Sequence, residues 1–250
     1  MQHTLTCCSS EAPKNQSRRN WLKGSASAGL AIAAGLTVVP SAASAASLSQ
    51  EQRDAMTPDQ VIDMLRDGNA RFRSGNMQAH DFLAQKRATS TGQFPAAVIL
   101  SCIDSRAPSE IIFDTGIGDA FGARIAGNIS TADLLGSMEF ACAAAGAKLV
   151  LVVGHTACGA IAGAINGVKL GNLTGLLQQI EPAVKATKFS GERTGSNRAF
   201  VDAVAQQNVM LTVEGIRKNS PVLAELEKNG KIKIAGAMYN LSNGEVTFLN

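Results

Sequence analysis

Three short, predominantly apolar runs, separated by segments long enough to hold helices, constrain the fold of this chain most strongly. They cover residues 96–100, 148–153 and 232–235. Apolar runs of about four to eight residues are typical of strands in a parallel sheet, where helices cover both faces. The alternation of such runs with helical segments therefore predicts an α/β fold with a mostly parallel central β-sheet flanked by helices.

Helix and turn signals surround these runs. Thr57 followed by Pro58 combines an N-cap residue with a proline at the first helical position, and it predicts an N-terminal helical arm. Further helices are predicted over residues 81–89, 133–146, 197–218 and 221–229. The dipeptide Asn243-Gly244 is typical of a tight turn and predicts a C-terminal β-hairpin. The hairpin strands are predicted over residues 238–241 and 245–249.

The amino-terminal 45 residues are organised like an export signal. Arg18 and Arg19 precede an apolar, small-residue run over 24–39, and the small-x-small pattern of residues 43–45 follows. A basic region, a short apolar region and a small-residue cleavage site define a secretory signal. The paired arginines resemble a Tat signal. An uncleaved membrane anchor is the alternative, although the run is shorter than the roughly 20 residues that span a bilayer.

These features divide the chain into a Tat-type signal peptide, a linker and one domain, over residues 1–45, 46–56 and 57–250. We expect the mature protein to be exported, to the periplasm if the source is a Gram-negative bacterium, and not to insert stably into a membrane. Without the signal, the chain holds 19 basic and 19 acidic residues. This neutral balance gives no electrostatic reason to expect nucleic acid as a partner.

Two short motifs carry metal-binding residue types, and each directly follows an apolar run. Cys102, Asp104 and Arg106 follow the first run, and His155 and Cys158 follow the second. In parallel sheets, sites form beyond the carboxyl ends of the strands. Thiolate and imidazole are ligands that zinc prefers, and a catalytic zinc keeps a fourth position open. The two cysteines and the histidine are therefore candidate zinc ligands, although either motif alone is more often core packing.

The pair of motifs, Cys-x-Asp-Ser-Arg and then His-x-x-Cys-Gly some fifty residues later, resembles the β-carbonic anhydrases, in particular their plant-like branch. The resemblance extends from about residue 56 to the carboxyl end, and it includes the segments 126–128 and 239–248. It implies one zinc ion per chain, bound by Cys102, His155 and Cys158, with Asp104 able to take the fourth position. It also implies that Asp104 and Arg106 form a catalytic dyad beside the metal.

The resemblance implies substrate-binding positions as well. Gln93 matches a hydrogen-bond donor on the substrate side, and Phe121 matches an apolar wall of the carbon dioxide pocket. Phe140 stands where the plant-like branch has a tyrosine, so the ring is kept and the hydroxyl is lost. Gly159 is a fourth position expected to contact the substrate. Ala126 replaces a larger apolar residue and is expected to widen the pocket.

The function implied by this resemblance is the reversible hydration of CO₂ to bicarbonate and a proton, by attack of zinc-bound hydroxide on CO₂. A bound zinc lowers the pKa of its water from about 15.7 toward 7. Family membership also implies a homodimer or a higher homo-oligomer. Two alternatives are a same-fold hydrolase of carbonyl sulfide or carbon disulfide, and a non-enzymatic zinc or CO₂ sensor. The Asp104–Arg106 pair argues against the sensor, because a closed structural zinc site would not need it.

Other chemically suggestive residues have simpler interpretations. Cys142 lies in an alanine-rich helical segment and is expected in the core. His80 is expected to be exposed at a helix end, with a proton shuttle as the alternative. Gly116, Gly118 and Gly122 lack the strand–loop–helix order of a phosphate-binding loop, and turns are expected there.

The export hypothesis predicts a specific effect of the arginine pair. Changing both Arg18 and Arg19 to lysine keeps the positive charge but removes the residues that the Tat pathway recognises. We therefore expect the uncleaved precursor to accumulate inside the cell, as measured by immunoblotting of cell fractions. Changing Lys14 and Lys23 to arginine is the matched control and should leave export intact. Normal export of the chain with both arginines replaced would point to the general secretory route.

Overall fold

A five-stranded sheet forms the centre of the domain that the structure describes. The computed structural model describes residues 47–249. The strands are β1 (Ala97–Ser101), β2 (Ala120–Arg124), β3 (Leu149–His155), β4 (Lys233–Tyr239) and β5 (Val246–Leu249). Their order is β2-β1-β3-β4-β5. The first four strands are parallel and β5 is antiparallel to β4, which confirms the predicted α/β fold with a mostly parallel sheet.

Helices cover both faces of this sheet. They are α1 (Gln50–Ala55), α2 (Pro58–Ser74), α3 (Phe82–Ala88), α4 (Ser109–Ile112), α5 (Ala132–Glu139), α6 (Gly159–Ile165), α7 (Gly171–Gln178), α8 (Glu181–Ala186), α9 (Arg198–Asn219) and α10 (Pro221–Lys228). A 3₁₀ turn (Ala126–Asn128) and a short π-helix (Phe140–Ala144) complete the set. Within residues 47–249, none of the helices combines the length and the apolar character needed to cross a membrane.

The two central strands are buried on both faces, which explains why the sequence shows continuous apolar runs rather than alternation. Every residue of β1 and of β3 is buried. Successive side chains point to opposite faces of the sheet. Val98 and Val150 therefore pack in one core cluster, whereas Ile99 and Leu151 pack in another.

Most of the predicted helices are confirmed, because their end signals are local. Thr57 caps α2 through a capping box with Gln60, and Gly75 ends that helix in the left-handed conformation. Asn197 and Ser220 likewise cap α9 and α10 with their side chains. The helix predicted over 133–146 is α5 followed directly by the π-helix, so its last turns are wider than predicted.

Strand β2 was not predicted, and the interpretation of Gly122 as a turn residue was wrong. Gly122 lies inside β2, where it pairs with Ile99 of β1. The strand is at the edge of the sheet and partly exposed, so its sequence shows no apolar run. Gly116 and Gly118 do lie at the turn before β2, and the φ of Gly118 is +97°.

The predicted hairpin is confirmed, but its first strand is longer than expected. The runs 232–235 and 238–241 belong largely to one strand, β4, with Gly236 in its middle. Gly236 interrupts the apolar pattern because α9 lies against it: a Cβ there would be 2.7 Å from Cγ1 of Val209. Gly244, with φ of +74°, lies in the loop between β4 and β5.

The segment 46–56, predicted as a linker, contains a packed helix. Ser49 and Gln52 form a capping box at the start of α1. Arg53 of α1 is buried, and its guanidinium donates a hydrogen bond to the carbonyl oxygen of Ala145. The segment predicted as a linker therefore holds a helix that packs against the domain. The signal peptide predicted over 1–45 lies outside the described residues and stays a prediction.

Candidate metal centre

The candidate ligands meet at one edge of the sheet because β1 and β3 are parallel neighbours. Ser101, the last residue of β1, lies opposite Val153 in β3. Cys102 follows β1 directly, and His155 is the last residue of β3. Cys158 then occupies the N-cap position of α6. All three side chains therefore lie at the carboxyl ends of the central strands, as predicted.

The three ligand atoms form a buried cluster. Their atoms all lie within 4.8 Å of one another, and the two Sγ atoms are 4.0 Å apart. Cys102 is 5% exposed, and His155 and Cys158 are 1% exposed. Among residues 47–249, this is the one group of three or more His, Cys, Asp or Glu side chains with metal-binding spacing.

The orientation of the His155 ring fits a metal ligand. Its Nδ1 atom lies 2.9 Å from the carbonyl oxygen of Thr156, which can only accept a hydrogen bond. Nδ1 therefore carries a proton, and Nε2 is the ring atom left to face the two sulfur atoms. Burial lowers the pKa of the ring, but Cys102, the Thr156 carbonyl oxygen and Asp104 outweigh it and raise that pKa overall. Nε2 is buried, and no group within residues 47–249 forms a hydrogen bond with it. Leaving such a group unpaired costs about 1–3 kcal/mol, and a metal ion at this position would remove that cost.

The electrostatics of the two thiols favour one thiolate even without a metal. A hydrogen bond from Cys158 lowers the pKa of Cys102, and it outweighs burial, which raises that pKa. The backbone N–H of Gly127, 3.4 Å from the Cys102 Sγ atom, acts in the same direction. The pKa of Cys158 is raised, because its thiol donates to Cys102 and because it is buried.

Asp104 and Arg106 form a two-point ion pair beside the cluster. The Arg106 Nε atom donates to Oδ1 of Asp104 at 2.9 Å, and a terminal guanidinium nitrogen donates to Oδ2 at 2.8 Å. These bonds hold the pKa of Asp104 well below its usual range, although burial opposes the effect. The Oδ2 atom is 3.9 Å from Nε2 of His155. The carboxylate is thus close to the ligands but held by the arginine.

Arg124, which the sequence interpretation did not single out, supports this motif from β2. Its Nε atom donates to the carbonyl oxygen of Cys102 at 2.9 Å, and a terminal nitrogen donates to the carbonyl oxygen of Asp104 at 2.7 Å. Arg124 is the last residue of β2. A charged residue at a strand end was the available signal, but the strand itself was not predicted.

An apolar cavity of about 350 Å³ opens next to the ligands. Its lining residues are Cys102, Ile103, Asp104, Ala126, Gly159, Ala160, Gly163, Val168, Leu173 and Leu177. Asp104 is the one charged side chain among them. Ala126 and Gly159 leave space in the cavity near the candidate ligands, because alanine has only a methyl side chain and glycine has none. The cavity is suited to a small uncharged molecule.

Of the four predicted substrate-binding residues, one lines this cavity. Gly159 does so, whereas Gln93, Phe121 and Phe140 do not. Gln93 is exposed and precedes β1, at the opposite end of that strand from Cys102. Phe121 lies opposite Val98 in the sheet, and its ring packs edge-on against Phe140 at 6.1 Å between centroids. Within one chain, these three residues are therefore separated from the metal centre.

Two further side chains can now be assigned. Cys142 is buried in the core, as predicted, and burial raises its pKa to about 12. His80 is not exposed, which corrects the prediction: its side chain is 8% exposed. Its Nε2 atom lies 3.0 Å from Oδ1 of the buried Asp114, which Arg71 also binds. His80 therefore belongs to a polar network beneath the surface.

The comparisons with known proteins agree with this geometry. A sequence profile of the family described as "Carbonic anhydrase" matches residues 97–246. The chain is 36% identical over 182 residues to "Carbonic anhydrase 2" of Mycobacterium tuberculosis, covering 72% of this chain and 87% of that protein. It is 35% identical over 184 residues to the carbonic anhydrase of Mycolicibacterium smegmatis, covering 73% and 88% respectively.

Solved structures of β-carbonic anhydrases share the fold. A tetrameric enzyme from Sordaria macrospora superposes with a TM-score of 0.60 at 23% identity, covering 77% of this chain and 98% of that chain. The Coccomyxa enzyme in complex with acetazolamide gives 0.59 at 20% identity, covering 76% and 82%. The family profile matches most of the domain, the fold is that of solved β-carbonic anhydrases, and the strand ends carry a Cys, His and Cys cluster. This chain therefore belongs to the carbonic anhydrase family and is an enzyme of its β class.

Proposed function

We propose that the chain catalyses the reversible hydration of CO₂ to bicarbonate and a proton, with one zinc ion bound by Cys102, His155 and Cys158. One observation carries this proposal. Three buried donor atoms lie within 4.8 Å of one another, and the nitrogen among them has no hydrogen-bond partner among residues 47–249. The apolar cavity beside them supplies a place for the uncharged substrate.

The donor set supports zinc over other common ions. Two sulfur atoms and one imidazole nitrogen match the ligands of catalytic zinc sites, which keep a fourth position open. Calcium and magnesium prefer oxygen ligands in larger numbers. When bound, zinc supplies a Lewis acid that lowers the pKa of water to about 7, so that a nucleophile is available near neutral pH.

The role of Asp104 is to accept a hydrogen bond next to the reacting atoms. Its carboxylate lines the cavity and lies 3.9 Å from Nε2 of His155. A carboxylate so placed could also take the open metal position itself. Arg106 opposes that by engaging both carboxylate oxygens, and its own backbone N–H donates to Oδ1 at 2.9 Å. Arg106 thus keeps Asp104 available as an acceptor.

The cavity walls favour substrate over product. CO₂ is apolar and needs no polar anchors, whereas bicarbonate carries a charge that apolar walls do not solvate. Ile103, Val168 and Leu173 supply apolar surface, and Ala126 leaves space near the ligands. The same space favours a second reaction, hydrolysis of carbonyl sulfide or carbon disulfide, because these linear molecules are also small and apolar.

We infer a homo-oligomer in which a second copy completes the substrate site. Gln93, Phe121 and Phe140 match substrate-binding positions of the family, yet they lie outside the cavity of their own chain. Phe140 is 58% exposed. A neighbouring copy that presents these residues to the cavity would reconcile their place in the fold with the predicted role. One structural relative is described as tetrameric, in keeping with such assembly.

The zinc assignment predicts the effect of removing one ligand. Cys158→Ser should lose both bound zinc and CO₂ hydration, because the third ligand also contributes to metal affinity and folding. Zinc content is measured by mass spectrometry of metals and turnover by stopped-flow CO₂ hydration. Cys142→Ala is the matched control, since Cys142 is a buried cysteine outside the cluster, and it should keep both. Full zinc content and normal turnover in Cys158→Ser would contradict the assignment.

The ion pair predicts a loss of activity with the zinc still bound. Asp104 is ionised at neutral pH with or without Arg106, since the ordinary pKa of aspartate is about 3.9. Arg106→Ala therefore changes where the carboxylate lies and not its charge. We expect normal zinc content, little CO₂ hydration below neutral pH, and partial recovery at mildly alkaline pH as the nucleophile competes better. Arg66→Ala, another exposed ion-paired arginine, should behave like wild type. If Arg106→Ala hydrated CO₂ at the wild-type rate from below neutral to mildly alkaline pH, the proposed role of Arg106 in holding Asp104 would be refuted.

The oligomer hypothesis predicts complementation between two inactive chains. Cys158→Ser lacks the metal site but keeps Gln93, and Gln93→Ala lacks the substrate-side donor but keeps the metal site. Mixed oligomers from co-expression should regain activity, because a Gln93→Ala metal site can receive Gln93 from its neighbour. Tagging the two chains differently and purifying mixed oligomers allows stopped-flow measurement of their turnover. No gain over the separate variants would show that Gln93 does not act across chains.

A further inference from the structure

The long helix α9 lies directly behind the metal centre. Gly154, the residue before His155, permits this approach: a Cβ atom there would be 2.6 Å from Cγ2 of Val209. The amino-terminal half of α9 packs into the same core cluster as Cys102 and Cys158 through Phe200 and Val204. Two polar residues of α9, Asp202 and Asn208, therefore lie within reach of the loops that carry the ligands.

Asp202 holds the loop between two ligands. Its Oδ1 atom accepts a hydrogen bond from the backbone N–H of Ala157 at 2.7 Å. Ala157 lies with Thr156 between His155 and Cys158, and its φ is +53°, in the left-handed region that alanine rarely adopts. A residue in this conformation persists only where its surroundings fix it. The carboxylate supplies such a fixed contact at the point where the chain turns from one ligand to the other.

Asn208 holds the backbone that contacts the remaining ligand. It is buried, and its Nδ2 atom donates to the carbonyl oxygen of Gly127 at 2.8 Å. The N–H of Gly127 in turn lies 3.4 Å from the Sγ atom of Cys102 and donates to it. Gly127 has a φ of +70°, and a Cβ atom there would be 2.6 Å from Cδ1 of Ile180. The orientation of its N–H therefore depends on close local packing as well as on Asn208.

We propose that Asp202 and Asn208 are positioning residues that set the geometry of the metal ligands from α9. Asp202 fixes the spacing of His155 and Cys158, and Asn208 anchors Gly127 through its carbonyl group, next to the N–H that donates to the Cys102 sulfur. Neither residue is a ligand. The inference rests on the proposed function, since it takes these three ligands to bind the metal.

Removing the acceptor of Asp202 should weaken and distort metal binding. Loss of a side chain that orients the ligands typically lowers metal affinity by about 10- to 100-fold, and we expect this for Asp202→Ala. Asp202→Asn keeps an acceptor oxygen and should recover most of the affinity. Glu214→Ala removes an exposed carboxylate from the same helix and should match wild type.

Two measurements separate positioning from a general loss of stability. Zinc affinity is obtained by competition with a chromophoric chelator. The visible absorption of the Co²⁺-substituted protein reports the ligand geometry, and its ligand-field bands should shift in Asp202→Ala but not in Asp202→Asn. Asn208→Asp, which removes the donor to Gly127, should shift the Cys102 thiolate-to-cobalt charge-transfer band. This second variant tests the inference even if Asp202→Ala does not fold.

The possible failures are distinguishable. A wild-type chain that binds zinc and hydrates CO₂, with unchanged affinity and cobalt spectra in Asp202→Ala and Asn208→Asp, would overturn the inference alone. Equal weakening by Asp202→Asn and Asp202→Ala would also overturn it, because the acceptor would then not be the relevant group. A wild-type chain that binds neither Zn²⁺ nor Co²⁺ would overturn the proposed function together with the inference.

Discussion

The parallel pairing of β1 with β3 is the constraint on which the candidate metal centre depends. Ser101 lies opposite Val153, so the chain leaves both strands at the same edge with a ligand at each exit. A slip of one residue would turn every side chain of a strand to the opposite face. Both strands are buried throughout, and alternate residues pack into different core clusters. Any slip would therefore disturb the packing on both faces of the sheet, and the core itself protects the ligand geometry.

The sequence was sufficient for those parts of the molecule whose signals are local. The capping residues of α2, α9 and α10 and the apolar runs of β1 and β3 each depend on a few neighbouring residues. The meeting of Cys102, His155 and Cys158 at one edge of the sheet was also predictable, because both motifs directly follow such runs. Strand β2 was not, since an edge strand with Gly122 in its middle lacks an apolar run, and its pairing with β1 decides its conformation. Arg124 was missed for the same reason.

The contacts of α9 with the ligand loops are the clearest case of information that the sequence does not display. Nothing local links Asp202 to Ala157, which lies 45 residues earlier in the chain. Nothing local links Asn208 to Gly127, which lies 81 residues earlier. In a helix whose pattern is mainly apolar, these two residues give no signal beyond being polar. Their contacts exist only in the folded protein, where Gly154 and Gly236 allow the helix to lie close to the sheet. The contact that buries His80 against Asp114 also joins residues far apart in the chain, so the local sequence gives no signal for it.

Two cavities lie next to the candidate metal centre, and residues in or beside the two motifs line both of them. On one side is the cavity lined by Ile103, Ala126 and other apolar groups, which suits CO₂. On the other side is a cavity of about 390 Å³, lined by Arg106, Thr156, Ala157, Arg198, Asp202, Asn240, Leu241 and Ser242. The first cavity is thus largely apolar, whereas the second carries the charged groups of Arg106, Arg198 and Asp202, which water solvates better than an apolar surface does. Asp104 and Arg106 lie on the boundary, one lining each cavity. The ion pair between them thus lies between the two cavities. Its geometry depends on the same strand ends that place the candidate ligands.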